Sequence, residues 1–195
     1  MILGFIMARK RSEEKRQIIL EATAVLIAED GVVTPTSKIA KAAGVAEGSI
    51  FQYFNSKDEL LNQLYLDLKS KLSSSYVDIV PTNDLKESLW EFWFAYVSWG
   101  ISNPIYRQAL VKLSASGNID NNTREAAAQN FKKVRGLLID AQSLGPLRNQ
   151  PYTFVGSLMV AMAETAIDFI GANPELRESI CADSFTAFWN AVTKE

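Results

Sequence analysis

Side chains able to do covalent or acid–base chemistry are scarce in this sequence, and the gaps in the set narrow what the protein can be. The chain contains no histidine, which removes Ser-His-Asp and Cys-His nucleophilic catalysis, histidine metal ligands and histidine pH switches together. Its one cysteine, Cys181, can form no intramolecular disulfide and points to a reducing compartment, the cytoplasm. Glu164 and Asp168 stand one helical turn apart and are a carboxylate pair suited in principle to acid–base work. No metal cluster, phosphate-cradling glycine loop or nucleophile motif accompanies them, so a small helical enzyme is the weaker reading. What remains is recognition by charge and hydrogen bonding. Lys plus Arg number 20 against 22 Asp plus Glu, so any polyanion-binding surface must be local. Residues 1–57 carry eight Lys and Arg against six Asp and Glu, whereas residues 58–195 carry twelve against sixteen. A basic head on an acidic body has the sign needed to bind a polyanion.

The elements that must position such a surface are helical. At 195 residues and 48% hydrophobic, the chain is long enough for a small module joined to a larger one, and no alternating strand pattern stands out. The expected first helix starts at Ser12 as N-cap, turns an apolar stripe of Ile18, Ile19, Ala22, Val25 and Leu26 inward, and ends at Gly31. Thr34 with Pro35 is expected to cap a short second helix through Ile39, Ala40 and Ala43. Gly44 can take the left-handed conformation of a tight interhelical turn, with Val45 filling the angle. A third short helix is expected over residues 47–54. Ile50 and Phe54, four apart, face the core, which leaves Glu47, Ser49, Gln52 and Tyr53 near the exposed face. Ser56 and Glu59 form a capping box for the next helix, continued by Leu60, Leu61, Leu64, Tyr65, Leu68 and Leu72. A helix crossing another at a tight glycine turn can enter the DNA major groove.

The run Thr34-Pro-Thr-Ser-Lys-Ile-Ala-Lys-Ala-Ala-Gly-Val-Ala-Glu-Gly-Ser-Ile-Phe-Gln-Tyr-Phe-Asn-Ser-Lys-Asp-Glu-Leu60 resembles the helix-turn-helix of TetR-type transcriptional regulators. The resemblance spans roughly 50 residues with the first helix included. It implies an all-α protein of about nine helices: a DNA-binding domain over residues 1–57 with an N-terminal extension, and a ligand-sensing and dimerisation domain over residues 58–195. It further implies that Thr36, Ser37, Tyr53 and Lys57 hold phosphates, that Gly48 and Ser49 approach the groove closely, and that Gln52 reads a base edge. Ala46 departs from the pattern, because a serine or threonine is usual there. The loss of a side-chain cap typically costs about 1 kcal/mol. Glu47 offsets part of it through the helix dipole and brings a negative charge towards DNA, where it can accept from a cytosine amine or exclude wrong sites. Arg9, Lys10 and Arg11 are placed as an arm towards the DNA backbone or minor groove.

The body carries Trp90, Phe92, Trp93, Phe94, Tyr96 and Trp99 on one expected helix from about residue 84 to 101, apolar nearly all round and therefore expected at the centre. A long helix is expected over 121–143, closed by Gly145 and Pro146, followed by two apolar helices over 151–171 and 174–192. The weakly polar stretch 152–163 is interrupted by Glu164 and Asp168, which favours a buried helix over a membrane span. By the resemblance, the last two helices form a homodimer, with Gly156, Ser157, Ala161, Ala163 and Ala166 permitting close approach. The operator is then a palindrome on double-stranded DNA. The resemblance also implies a cavity for a small apolar or aromatic effector. Candidate lining residues are Trp90, Trp93, Phe94, Tyr96, Phe131, Met159 and Met162, with Glu164 and Asp168 as polar anchors for a cationic ligand. No catalytic residue, metal or cofactor is expected. A head that binds a protein partner instead of DNA is a further alternative, and its affinity would depend far less on salt.

Overall fold

A computed structural model describes the backbone of residues 2–194 and the side chains of residues 12–194. The described residues form ten α-helices: α1 (Ile2–Asp30), α2 (Thr36–Ala42), α3 (Glu47–Ile50), α4 (Lys57–Ser74), α5 (Leu85–Ser102), α6 (Pro104–Ala115), α7 (Asn121–Ala128), α8 (Lys132–Ser143), α9 (Tyr152–Ala172) and α10 (Arg177–Thr193). The fold is all-α, as expected. The long helix expected over 121–143 is divided by a 3-10 turn at Gln129–Phe131 into α7 and α8. The chain packs as two compact units: Met1–Lys69 with Ile105–Ala127, and Ser70–Pro104 with Ala128–Glu195.

In the first unit, α1 begins at Ile2 and not at Ser12. Ser12 is preceded by good helix formers with no glycine or proline among residues 5–11, so nothing stops the helix there and its hydroxyl caps nothing. The side chains of Arg9, Lys10 and Arg11 lie outside the described residues. The buried face of α1 is also rotated from the expected stripe: Ile19, Leu20, Thr23, Ala24 and Ile27 are sealed, whereas Ile18 and Val25 are half open. The period is the expected one, shifted by one position, and Thr23 can join the buried face because its hydroxyl donates to the Ile19 carbonyl at 2.6 Å. Gly31, at φ +84°, ends the helix as expected. Lys112 of α6 then supplies its C-terminal partner, donating from Nζ to the Ala28 and Glu29 carbonyls at 2.6 and 3.1 Å. Tyr106 donates to the Glu21 carboxylate at 2.6 Å, and Asn62 of α4 bonds both the Asn118 carbonyl and the Asp120 N–H. Through these contacts α6 packs on α1, and the turn before α7 is held to α4.

In the second unit, α5, α8, α9 and α10 share one core that includes Leu89, Trp93, Val97, Ile167, Phe185 and Phe188. Asp84 caps α5 by accepting from the Lys86 and Glu87 N–H groups at 2.8 and 3.0 Å. The helix is central, yet its aromatic coverage is not closed all round, since Phe94 is 45% exposed. α9 is long and apolar enough to cross a membrane, a property that the core helix of a folded domain shares. It buries one face, with Val155, Met159, Ala163, Ile167 and Ile170 in the core, and leaves Phe154, Val160 and Phe169 open. Of the small residues expected at a subunit contact, Ala163 and Ala166 instead pack inside this chain, and only Ser157 and Ala161 lie on the open face. Leu176, expected to point inward from the last helix, is 39% exposed because it belongs to a 3-10 turn (Pro174–Leu176) that precedes α10.

Two glycines of this unit should respond in opposite ways to alanine. A Cβ on Gly145 would meet the Val192 carbonyl oxygen at 2.1 Å, so Gly145→Ala is expected to destabilise by about 1–3 kcal/mol. Gly136, in the open middle of α8 with nothing within 4 Å of a Cβ, should instead gain about 1 kcal/mol as alanine through helix propensity. Urea unfolding of both variants checks the pair.

Candidate nucleic-acid interface and body cavities

The interface begins with the turn that joins α2 to α3. Gly44 sits at φ +65°, a conformation costly for residues with a Cβ. It lets the Val45 N–H reach back to the Ala40 carbonyl at 3.0 Å, and the Ala43 N–H to the Ile39 carbonyl at 2.9 Å. On the N-terminal side the expected cap is displaced by one residue. Pro35 is the N-cap of α2, while the Thr34 side chain is buried and donates to the Gly31 carbonyl at 2.9 Å. Thr34 closes the preceding turn and does not cap the helix.

The helix expected over 47–54 is regular only through Ile50. It continues as single turns, with the Gln52 N–H on the Ser49 carbonyl at 3.2 Å and the Tyr53 and Phe54 N–H groups on the Ile50 carbonyl at 3.0 Å. Ala46 is its N-cap and supplies no side-chain bond, the deficit expected from the missing hydroxyl. Ile50 and Phe54 are fully buried as expected. The Arg16 guanidinium stands 5.3 Å over the Phe54 ring and bonds Gln63 at 2.8 Å, which ties α1, α3 and α4 together.

The remaining side chains of the segment form the exposed rim. Ser37, Glu47, Gly48 and Gln52 are exposed, and Thr36, Ser49, Tyr53 and Lys57 are half-buried. The Thr36 hydroxyl donates to the Glu47 carboxylate at 2.8 Å, so a residue expected at phosphate and a residue expected at a base are partnered across the turn. That bond gives the start of α3 a tie to α2 where Ala46 offers none. Sequence reasoning passed over Phe51, which is 48% exposed beside Gln52. Its position between the two inward residues Ile50 and Phe54 was the available signal. Gly48 has an ordinary backbone conformation and nothing within 4 Å of a would-be Cβ, so no contact within the described residues requires a glycine there.

Lys57 opens α4, whose start is locked as the capping box requires. The Ser56 hydroxyl accepts from the Glu59 N–H at 3.0 Å, and Glu59 Oε2 accepts from the Asn55 N–H and Asn55 Nδ2 at 2.8 and 2.7 Å.

The nine residues expected to surround an effector are not brought to one cavity. Trp93 and Met159 are sealed in the core, Trp93 stacked on Phe188 at 5.6 Å. The Trp93 indole N–H has no oxygen or nitrogen acceptor and lies beside Cys181, whose thiol burial pushes up. Tyr96 donates to Glu164 at 2.6 Å, so that carboxylate has a partner within the chain, while Asp168 is exposed on α9. Met162 packs at the core edge. Trp90 and Phe94 line a cavity of about 370 Å³ with Arg177, Glu178, Cys181 and Ala182. Phe131 lines a separate cavity of about 300 Å³ with Tyr76 and Phe92. Among the described residues, no group of three or more His, Cys, Asp or Glu side chains could hold a metal ion.

A tight-turn helix pair on a three-helix head, followed by an all-helical body, defines a helix-turn-helix protein. Residues 19–64 match the family described as bacterial regulatory proteins, tetR family. The "Fatty acid metabolism regulator protein" of Bacillus subtilis (strain 168) is 42% identical over 57 residues, 29% of each chain. The "HTH-type transcriptional regulator SrpR" of Pseudomonas putida is 29% identical over 150 residues, 72% of this chain and 68% of that one. Thus the chain matches under a third of the length of the first relative and about two thirds of the second. A solved structure described as a tetR family transcription regulator, from Shewanella sp. PV-4, superposes with a TM-score of 0.81 at 29% identity, over 93% of this chain and 99% of that one. Residues 19–64 thus carry the N-terminal domain of the tetR family, and the chain as a whole is similar in fold to a tetR family transcription regulator.

Two substitutions separate stability from surface in this segment. Ser56→Ala should lower the unfolding free energy by about 1 kcal/mol through loss of the cap. Gly48→Ala should leave it unchanged or raise it by about 0.5–1 kcal/mol. Thermal and urea unfolding followed by circular dichroism measures both.

Proposed function

We propose that this protein is a ligand-released repressor that binds a palindromic operator as a homodimer in the cytoplasm, with residues 1–57 contacting DNA and residues 58–195 sensing and dimerising. The observation that carries the reading is the tight Gly44 turn, which joins α2 to α3 and leaves Ser37, Glu47, Gly48 and Gln52 exposed on one segment. Gln52 is the base reader, bidentate to an adenine by preference. Phe51, large, apolar and open, suits a thymine methyl group. Ser37, Tyr53 and Lys57 fix the register on phosphates, and Gly48, free of internal crowding, allows the DNA backbone to come close. Glu47, held by Thr36, rejects sequences that place an acceptor opposite it.

The homodimer is supported by the open face of α9, where Phe154, Val160 and Phe169 are 52%, 45% and 47% exposed. Large apolar groups left open along one long helix are the kind of surface that a second subunit covers. Release is a shift of population. α4 runs from the DNA-proximal Lys57 into the second compact unit at Ser70, so an effector that favours one placement of this helix changes the separation of the two recognition segments.

Selection of genomic fragments by the purified protein at physiological salt should enrich one palindromic site. On that site Gln52→Ala is expected to relax preference at one position at a cost of about 1–3 kcal/mol, whereas Lys57→Ala should weaken all sequences alike and reduce the salt slope by about 1. Absence of enrichment together with absence of low-salt binding would sink the DNA-binding reading. For the dimer, Val160→Glu should convert the species seen by light scattering from twice the 21.6 kDa chain mass to the chain mass with helicity retained. An unchanged mass removes α9 from the interface.

A further inference from the structure

We propose that the cavity beneath the α7–α8 break is a binding site for a small aromatic anion, a carboxylate or its sulfonate or phosphate equivalent, and that this is the effector class of the protein. The second clause rests on the ligand-release reading above; the first stands on geometry alone. The cavity, about 300 Å³, lies at the small end of ordinary ligand sites, roughly 300–1,000 Å³. That size suits a one- or two-ring molecule. Its walls are aromatic: Tyr76 meets Phe92 edge-on at 5.2 Å and Phe131 edge-on at 5.8 Å, an arrangement that accepts a further ring.

The polar groups determine the sign of the ligand. Tyr76 is only 8% exposed, and its hydroxyl has no hydrogen-bond partner among the described residues. The hydroxyl is not among the sealed side-chain atoms, so it is open to the cavity and available to donate to a molecule that enters it. Burial alone drives its pKa far above the ordinary phenol value, which keeps it a proton donor throughout the physiological range. At the rim stand Lys132 and Lys133, both exposed. Lys133 reaches the Ile79 carbonyl only at 3.4 Å, and Lys132 has no partner among the described residues. They open α8, a twelve-residue helix with no side-chain cap, so the positive end of its dipole adds to theirs. No carboxylate lines this cavity, whereas three other described cavities of this unit each contain Asp or Glu. A cationic ligand, expected from the Glu164 and Asp168 pair, finds no counter-charge here. The 3-10 turn at Gln129–Phe131 is what assembles the site, because an unbroken helix would carry Phe131 and the two lysines on a different rotation.

Calorimetric titration of the full chain with naphthoate, naphthalenemethanol and naphthylmethylammonium tests the assignment. The anion is expected to bind at least about tenfold tighter than its neutral counterpart, and the cation weakest. The Lys132→Ala, Lys133→Ala double variant should erase that preference while leaving the neutral compound unchanged. Tyr76→Phe, which conserves ring and volume, should weaken naphthoate several-fold. Equal binding of the three probes, binding of none, or a preference that survives the double variant overturns the site. Adding naphthoate to the operator complex reads the other half. Binding without release leaves the site standing and counts against its being the effector site, while failure to select any DNA bears on the repressor reading and leaves the cavity result intact.

Discussion

Burial of the apolar stripe of α4 is the constraint on which the rest depends. Leu60, Leu61, Leu64 and Leu68 are fully buried in the first unit, and Leu72 and Tyr76 carry the same chain into the second. An eighteen-residue helix with no glycine or proline has none of the usual causes of a kink. Its N-terminus is fixed by three hydrogen bonds around Ser56 and Glu59, and Lys57 sits at that end.

The recognition segment is built with little stability of its own. α3 is one turn long, has no side-chain cap, and depends on burial of Ile50 and Phe54 together with the Thr36–Glu47 bond. A helix this short does not persist by propensity. Tertiary packing therefore decides its geometry, and its exposed residues are left free to diverge in chemistry without loss of fold. The Arg16 contact to Phe54 and Gln63 shows the same economy, one side chain from α1 serving the other two elements.

The body divides its aromatic residues between two tasks. Trp93, Phe185 and Phe188 make a sealed core, with Phe188 stacked on Trp93 and Phe185 edge-on to it, while Tyr76, Phe92 and Phe131 surround open volume. Composition alone does not separate these roles, since both sets are aromatic. The Tyr96–Glu164 bond has the same character: read singly, each is a candidate ligand anchor, and together they satisfy one another.

By itself the sequence determined the all-helical fold, the Gly31 and Gly44 turns, the Ser56–Glu59 cap, the missing hydroxyl at Ala46 and the inward pair Ile50 and Phe54. Each is a local matter of backbone conformation, capping or helical period, and local physics is written in neighbouring residues. What the tertiary structure decided were the relations between distant residues. The start of α1 at Ile2 required only that nothing stop it, and a capping residue is a cap only where a helix begins. The buried face of α1 turned on whether Thr23 could satisfy its hydroxyl internally. The break at Gln129–Phe131, the pairing of Thr36 with Glu47 and the gathering of Tyr76 with Lys132 follow from packing across long sequence separations. Periodicity within one helix carries no information about those separations.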